Sequence, residues 1–238
     1  MTPTEFRTGV IKPIEVYKET WELIKDQYWL IFAISLVGML IGGAVPVILF
    51  GPMICGIYLC LFQKIEGRQV NFELLFKGFD YFLPSLIVAI AVVVPMFVLI
   101  LTIYVPSSGL ALAGQRMSSS ELIPFLIGIF VFEIIVAFIM VCFHTLLMFA
   151  FPLIVDRKLS GWQSIKTSAS AVWNNLAGVA GLFGVGMVVG IAGYLMLCVG
   201  FYLVMPLILA SNAVAYRKIF PPLAPGLLDP PPPNAYQL

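Results

Sequence analysis

The chain has 238 residues, of which 61% are hydrophobic and 11% are charged, and its formal net charge is +1. Soluble globular domains carry about 25% charged residues, so this composition excludes an ordinary soluble domain and indicates an integral membrane protein. Because charges are so sparse and so nearly balanced, nucleic acid is not an expected partner.

The N-terminal segment is charged and amphipathic. Residues 1–27 hold four basic and five acidic side chains before the first apolar run, so we expect no cleaved leader. Apolar residues recur at spacings of three and four: Ile14, Tyr17, Trp21, Ile24 and Tyr28. This spacing predicts a short helix that lies at the membrane interface. Asn71 and Ser160 are predicted to cap two similar helices further along the chain.

Four apolar runs follow, and the first and last are too long for one membrane crossing. A crossing needs about 20 residues to span roughly 30 Å of hydrocarbon. Each of these two runs is predicted to form a hairpin. The first has Gly and Pro residues near its middle, and the last has Gly residues there. The expected fold is therefore an all-α integral membrane protein with about six transmembrane helices, at about 28–46, 49–65, 81–104, 122–150, 175–195 and 198–216.

Basic residues set the expected orientation. If the N-terminus is inside, the inner segments carry twelve Lys and Arg residues, whereas the outer side carries Arg116 alone, in the small Gly/Ser-rich loop 106–120. Short cytoplasmic loops are enriched in Lys and Arg, so both termini are predicted to lie in the cytoplasm. The tail 220–238 contains seven prolines and is expected to be a disordered cytoplasmic segment.

The sequence also contains an internal duplication. Residues 17–42 align with 165–190 at an offset of 148, and the alignment resumes at an offset of 154, where Pro52 matches Pro206. Repeat copies at about 14–65 and 162–219 flank a middle hairpin at about 71–155, all within one transmembrane domain, 1–219. Because two spans separate the copies, they run in the same sense, unlike inverted transporter repeats.

Each copy carries a GxxxG pattern at the same place. The glycines are Gly38 and Gly42 in the first copy, and Gly186 and Gly190 in the second. A spacing of four puts both glycines on one helical face, where another helix can approach closely. These four residues are predicted to mediate helix packing, either between the two copies or between protomers.

Two ionisable residues lie inside the apolar run 122–155. Glu133 is the only acidic residue well inside an apolar run, and His144 is the only histidine of the chain. On one helix they point in similar directions but lie about 16 Å apart, so they cannot touch. Two interpretations remain open: two structural residues satisfied by neighbouring helices, or a proton or ion relay.

No catalytic or metal-binding motif appears. The chain has one histidine and four cysteines (Cys55, Cys60, Cys142 and Cys198), without a CxxC pair, an HExxH or a GxSxG motif. We therefore expect no metal, no cofactor and, in the absence of a recognisable catalytic site, no enzyme. A lipid-directed activity at the inner surface, near Asp156, is the remaining enzymatic alternative.

A motif at 152–168 resembles a known pattern. Pro152, Asp156, Trp162 and Ser168, at intervals of 4, 6 and 6, together with residues 51–82, resemble a group of bacterial polytopic membrane proteins. This group includes the membrane domain associated with some glycerophosphodiester phosphodiesterases, and stand-alone relatives of unknown function. The resemblance implies an α-helical fold in the bacterial cytoplasmic (inner) membrane. It transfers no catalytic residue, because no part of these 238 residues is long and polar enough to contain the phosphodiesterase domain.

Two functions are consistent with these features. The first is a non-catalytic membrane scaffold, or an accessory subunit of a membrane complex, with the lipid bilayer and either a second copy or another membrane protein as partners. The second is a transporter or channel for a small or lipid-like substrate that uses Glu133 and His144. The sequence does not identify the substrate or the partner.

Overall fold

The computed structural model describes residues 4–113, 118–196 and 199–223. Within these residues the chain forms nine α-helices and one 3-10 helix, and no strand. The helices are α1 (Pro13–Ile24), α2 (Tyr28–Ala44), α3 (Pro46–Ile65), the 3-10 helix (Phe72–Tyr81), α4 (Phe82–Ala113), α5 (Ser119–Leu146), α6 (Ala150–Arg157), α7 (Gly161–Asn174), α8 (Leu176–Leu195) and α9 (Val199–Ile219).

Three pairs of long helices form hairpins: α2 with α3, α4 with α5, and α8 with α9. A short helix precedes each hairpin, namely α1, the 3-10 helix and α7. Helix α9 packs against α1 and α2, while α3 packs against α4 and α6. The short helices thus lie at the charged ends of the hairpins and join them to one another.

Several of these helices suit a membrane. Four stretches are long and apolar enough to cross one: α3, Phe72–Leu110, Ser120–Arg157 and α8. Helices α1 and α2, bent by 103° at the break between them, form a fifth if they are counted together. The prediction of an α-helical, multi-pass membrane protein is confirmed at this level, and the number of six spans stays a prediction.

Local sequence explains where several helices begin. Pro46 occupies the first turn of α3, where its missing N–H is not needed. The Asn71 side chain accepts a hydrogen bond from the N–H of Glu73, and the Ser160 side chain accepts one from the N–H of Gln163. At the N-terminus of α5, the N–H of Ser118 donates to Glu121 Oε2 over 3.0 Å, which is part of a capping box.

Some helix ends differ from the expected ones. Helix α4 continues to Ala113 rather than ending near 104, because Pro106 lies inside the helix without ending it. Helix α5 ends at Leu146, before the expected 150, and α6 starts after a short break. Residues 114–117 of the expected outer loop, including Arg116, lie outside the described residues, as do Cys198 and residues 224–238 of the expected disordered tail.

The core lies towards the charged ends of the helices. Its largest fully buried side chains include Arg157, Tyr216, Phe149, Phe220 and Ile24. By contrast, the only described side chains of α4 that are buried are Ser85, Val88 and Ala89, and none of those described in α5 is buried. The α4–α5 hairpin therefore adds little to the core and keeps an exposed apolar surface along most of its length.

Two glycines allow α3 and the 3-10 helix to cross at backbone contact. A Cβ atom at Gly78 would lie 1.9 Å from the carbonyl oxygen of Pro52, and one at Gly56 would lie 1.9 Å from that of Leu75. No larger residue fits at either position without moving a backbone segment. The two glycines thus fix how closely the 3-10 helix is held against the first hairpin.

Candidate functional site

A network of charged side chains joins the ends of α6 and α9. Asp156 accepts hydrogen bonds from three donors: Tyr216 Oη at 2.7 Å, Arg217 Nη1 at 2.5 Å and Arg157 Nε at 3.0 Å. Arg157 is fully buried, whereas the side chains of Asp156 and Arg217 are mostly buried. One carboxylate therefore balances two guanidinium groups, which compensates part of the cost of burying them.

Aromatic rings and a second carboxylate surround this network. The guanidinium of Arg217 lies 4.4 Å from the centre of the Phe62 ring, and its Nη2 is 3.4 Å from Glu66 Oε1. Arg157 Nη2 donates to the carbonyl of Pro221 over 2.5 Å, which ties down the segment after α9. Such cation–π and charge-assisted contacts position groups. Through these contacts the arrangement joins the ends of α3, α6 and α9.

The Tyr216 side chain is fully buried, and its hydroxyl is the donor in the bond to Asp156. A carboxylate can only accept hydrogen bonds, so the phenol hydroxyl points its proton at Asp156. This fixed direction of donation suits a structural clamp.

Ser168 bridges the break between α5 and α6. Its hydroxyl donates to the carbonyl of Leu146 over 2.7 Å and accepts from the N–H of Phe149 at 3.1 Å. A helix break leaves such backbone groups without their usual partners, and a buried hydroxyl from α7 satisfies both. Ser168 thereby holds α7 against the α5–α6 junction.

The other two residues of the 152–168 motif lie apart from each other. Pro152 is buried in the first turn of α6, near the Asp156 network in sequence. Trp162 is exposed at the start of α7, with Lys166 Nζ 6.0 Å from the centre of its ring. Three residues of the motif thus belong to the packed interior and one to the surface.

Glu133 and His144 lie on the same helix, α5, and on its less exposed face. His144 Nε2 is 2.9 Å from the carbonyl oxygen of Val92 in α4, and its Nδ1 is 2.8 Å from that of Met140. A neutral imidazole carries one N–H, so it can donate to only one of these carbonyls. Both carboxylate oxygens of Glu133 are buried and lack a hydrogen-bond partner among the described residues.

The glycines of the two GxxxG patterns have different surroundings. Gly38 lies against Ile57 of α3 and Leu75 of the 3-10 helix, and Gly42 lies against the backbone of Phe50. A Cβ at Gly186 would lie 2.8 Å from the hydroxyl of Tyr17, whereas Gly190 faces open space. The first pair thus packs within its own hairpin and against the 3-10 helix, and the second pair is only partly covered.

A groove of about 530 Å³ lies between α1, α3 and α9. Its charged lining comes from Glu19, Glu22, Arg217 and Lys218. Lys218 Nζ is 2.6 Å from Glu19 Oε2, and Arg217 is engaged by Asp156, so these basic groups are paired within the chain. The groove therefore offers a ligand no cationic group that is not already paired.

Sequence reasoning found Asp156 and Ser168 but missed their partners. Tyr216 and Arg217 appear in the sequence only as the end of an apolar run with a basic stop, and Glu66 appears as part of a loop. The available signal was that Tyr216 and Arg217, two neighbouring ionisable residues, stand directly at the end of a predicted span.

Known proteins do not add to this description of the site. Comparison of the chain with protein-family models, with curated proteins and with solved structures finds no match.

Proposed function

We propose that this protein is a non-catalytic membrane scaffold or an accessory subunit of a membrane complex. The observation that carries the proposal is the contrast between its two parts. The charged ends of the helices are packed and ion-paired, whereas α4 and α5 expose large apolar side chains such as Phe97, Phe130 and Phe138. Lipid covers such a hairpin in a bilayer, and in the proposed role a helix of another membrane protein replaces part of that lipid through close side-chain packing.

The proposed topology has six spans with both termini in the cytoplasm of a bacterial cell. Ion pairs support one common polar end: Lys64 with Asp26, Arg217 with Glu66, and Lys218 with Glu19 join α1, α3 and α9 there. Helix α2 has 17 residues and so extends about 26 Å at 1.5 Å per residue, close to a bilayer's hydrocarbon thickness. With α9 it completes the proposed set of six.

Equivalent helix positions support the proposed duplication. Helices α7 and α8 begin at Gly161 and Leu176, each 148 residues after the starts of α1 and α2 at Pro13 and Tyr28. The residues before α2 and α8 also have matching backbones: Gln27 has φ −121° and ψ 24°, and Asn175 has φ −123° and ψ 24°. Each of the two proposed copies would thus comprise a short helix, a turn of the same backbone conformation and a hairpin.

Exposed aromatic residues support an interfacial position for α1 and α7. All four tryptophans are exposed: Trp21, Trp162 and Trp173 lie within these two helices, and Trp29 is the second residue of α2. Tryptophan favours the headgroup layer, where its ring is partly buried and its N–H stays hydrated. The lipid bilayer is thus the first proposed partner, and a second copy or another membrane protein is the next.

Co-purification tests the scaffold proposal. We expect the tagged chain, extracted in mild detergent, to retain a membrane protein in a constant molar ratio. The paired change Phe130→Ala and Phe138→Ala should remove that protein, while Val188→Ala, at an exposed position of α8, should retain it. Retention of the same protein by all three chains, or a chain that purifies alone, would count against the proposal.

Transport is the alternative function, and the position of Glu133 and His144 on one face of α5 favours it. It requires water to reach that face. With the four native cysteines replaced by alanine, Ile129→Cys and Val136→Cys place thiols on either side of Glu133. Labelling of both by a water-soluble thiol reagent would favour a hydrated pathway, and protection of both would favour the scaffold.

A further inference from the structure

The 2.9 Å contact between His144 Nε2 and the carbonyl oxygen of Val92 sets the register of the α4–α5 hairpin. The two helices are antiparallel, because they are consecutive and packed against each other. Glu133 precedes His144 by 11 residues, and 11 residues beyond Val92 is Ile103. Since both helices rise by about 1.5 Å per residue, Glu133 lies level with residues 102 and 103 of α4.

Exposure shows which faces of the two helices meet. The less exposed positions of α4 recur at helical spacing, at Val92, Pro95, Leu99, Thr102 and Pro106. Those of α5 do the same, at Ile129, Glu133, Val136, Met140 and His144. This periodicity marks a seam between the helices. Thr102 and Glu133 therefore lie on opposing sides of the seam at the same level.

A proline leaves a carbonyl group without its donor at that level. Pro106 has no N–H, so the carbonyl of Thr102, four residues earlier, lacks its usual intrahelical hydrogen bond. The Thr102 hydroxyl donates to the carbonyl of Leu99 over 2.7 Å, so it is engaged elsewhere. At this level of the seam, the carbonyl of Thr102 can accept a hydrogen bond from Glu133, but the hydroxyl of Thr102 is not free to donate one.

An ionised carboxylate suits this place poorly. Helices α4 and α5, as far as they are described, contain no Lys or Arg, and their other ionisable side chains near the seam are distant. His144 lies about 16 Å away along the axis and Glu121 about 18 Å, while Tyr104 is exposed. Burying a carboxylate without a donor or a counter-charge costs more than binding a proton.

We propose that Glu133 is a proton-binding site, held as the neutral carboxylic acid, whose O–H donates across the seam to the carbonyl of Thr102. Neither Glu133 oxygen has a partner within the described part of the chain, so this bond requires the side chain to rotate towards that carbonyl. The inference does not depend on the scaffold function, because it concerns two helices of one chain. It gives the α4–α5 hairpin a hydrogen bond in place of an unpaired charge.

Unfolding measurements on combined variants test the hydrogen bond. Glu133→Leu should lower the temperature of half-unfolding in micelles, because it leaves the Thr102 carbonyl without a donor. In a Pro106→Ala background, where residue 106 supplies an N–H, that loss should shrink to less than half. In the matched Pro95→Ala background the loss should be unchanged. A loss that is equal in all three backgrounds, or a rise on Glu133→Leu, would overturn the proposal.

Infrared spectroscopy tests the proton directly and does not depend on stability. The native chain at neutral pH should show a protonated-carboxyl C=O band that is missing from Glu133→Gln. The glutamine amide is nearly isosteric and can donate to the same carbonyl, so this variant should stay folded. If the difference spectrum shows loss of carboxylate bands instead, Glu133 is ionised and the proposal is wrong.

Discussion

The hydroxyl of Tyr216 donates a hydrogen bond to Oδ2 of Asp156 over 2.7 Å and so joins the end of α9 to the end of α6. Sixty residues separate the two in sequence. Arg217 and Arg157 approach the same carboxylate, so one side chain of α6 organises the end of the last helix. This clamp holds the charged ends of α6 and α9 together.

Removal of the charge at this clamp should destabilise the protein. Asp156→Asn keeps the size of the side chain but leaves two largely buried guanidinium groups without their shared carboxylate. Breaking a buried pair typically costs roughly 3–5 kcal/mol of unfolding free energy. Denaturant unfolding in micelles measures this loss. Glu15→Gln, which removes the partner of Lys12 from an ion pair whose two side chains are both exposed, is the control and should leave the midpoint nearly unchanged.

Loss of the Ser168 hydroxyl should open the α5–α6 junction. Ser168→Ala removes one buried donor and one acceptor, leaving Leu146 and Phe149 with unsatisfied backbone groups, at a cost of about 1–3 kcal/mol. Ser170→Ala, on the exposed side of the same helix, should change the unfolding free energy by less than about 0.5 kcal/mol. Equal effects of the two changes in thermal unfolding would contradict the bridging role.

The glycine contact between α3 and the 3-10 helix predicts that alanine substitutions at different glycines have very different effects on stability. Gly78→Ala puts a methyl group against the Pro52 carbonyl and should cost at least about 1–3 kcal/mol, because neither backbone can yield easily. Gly184→Ala has nothing within 4 Å and should be neutral or slightly stabilising. Melting temperatures of the two variants in the same detergent make the comparison, and a tolerated Gly78→Ala would show that this contact is looser than described.

The sequence predicted the helices better than their ends. Hydrophobic run length and Gly and Pro breaks placed the start of α2 and the end of α3 correctly, because those are local signals. The end of α5 was placed four residues too late. Its break at residues 147–149 depends on Ser168 of α7, a tertiary partner that no local pattern reveals.

Two features of the candidate site show the same limit. Asp156 was singled out from its motif, yet its main partners Tyr216 and Arg217 lie on another helix and could not be paired with it from spacing. Glu133 and His144 were singled out as intramembrane ionisable groups. Which helix they face follows only from the packing of α4 against α5.

The proposed orientation makes a simple prediction about fusions. Reporter domains attached at either terminus should lie in the cytoplasm, whereas one inserted at residues 114–117 should lie outside, because the basic segments stay inside. Alkaline phosphatase activity reports the outer position, and green fluorescent protein reports the inner one. An active phosphatase at either terminus would mean that the topology has an odd number of spans or the opposite sense.

Site-specific photo-crosslinking in native membranes tests the scaffold proposal most directly. A photoreactive residue replaces Phe138, which is 68% exposed on α5, and in a matched chain replaces Val188, which is 68% exposed on α8. The scaffold account predicts a discrete protein adduct from position 138, either to a second copy or to one other membrane protein, and mainly lipid adducts from position 188. Lipid adducts alone from both positions would contradict it.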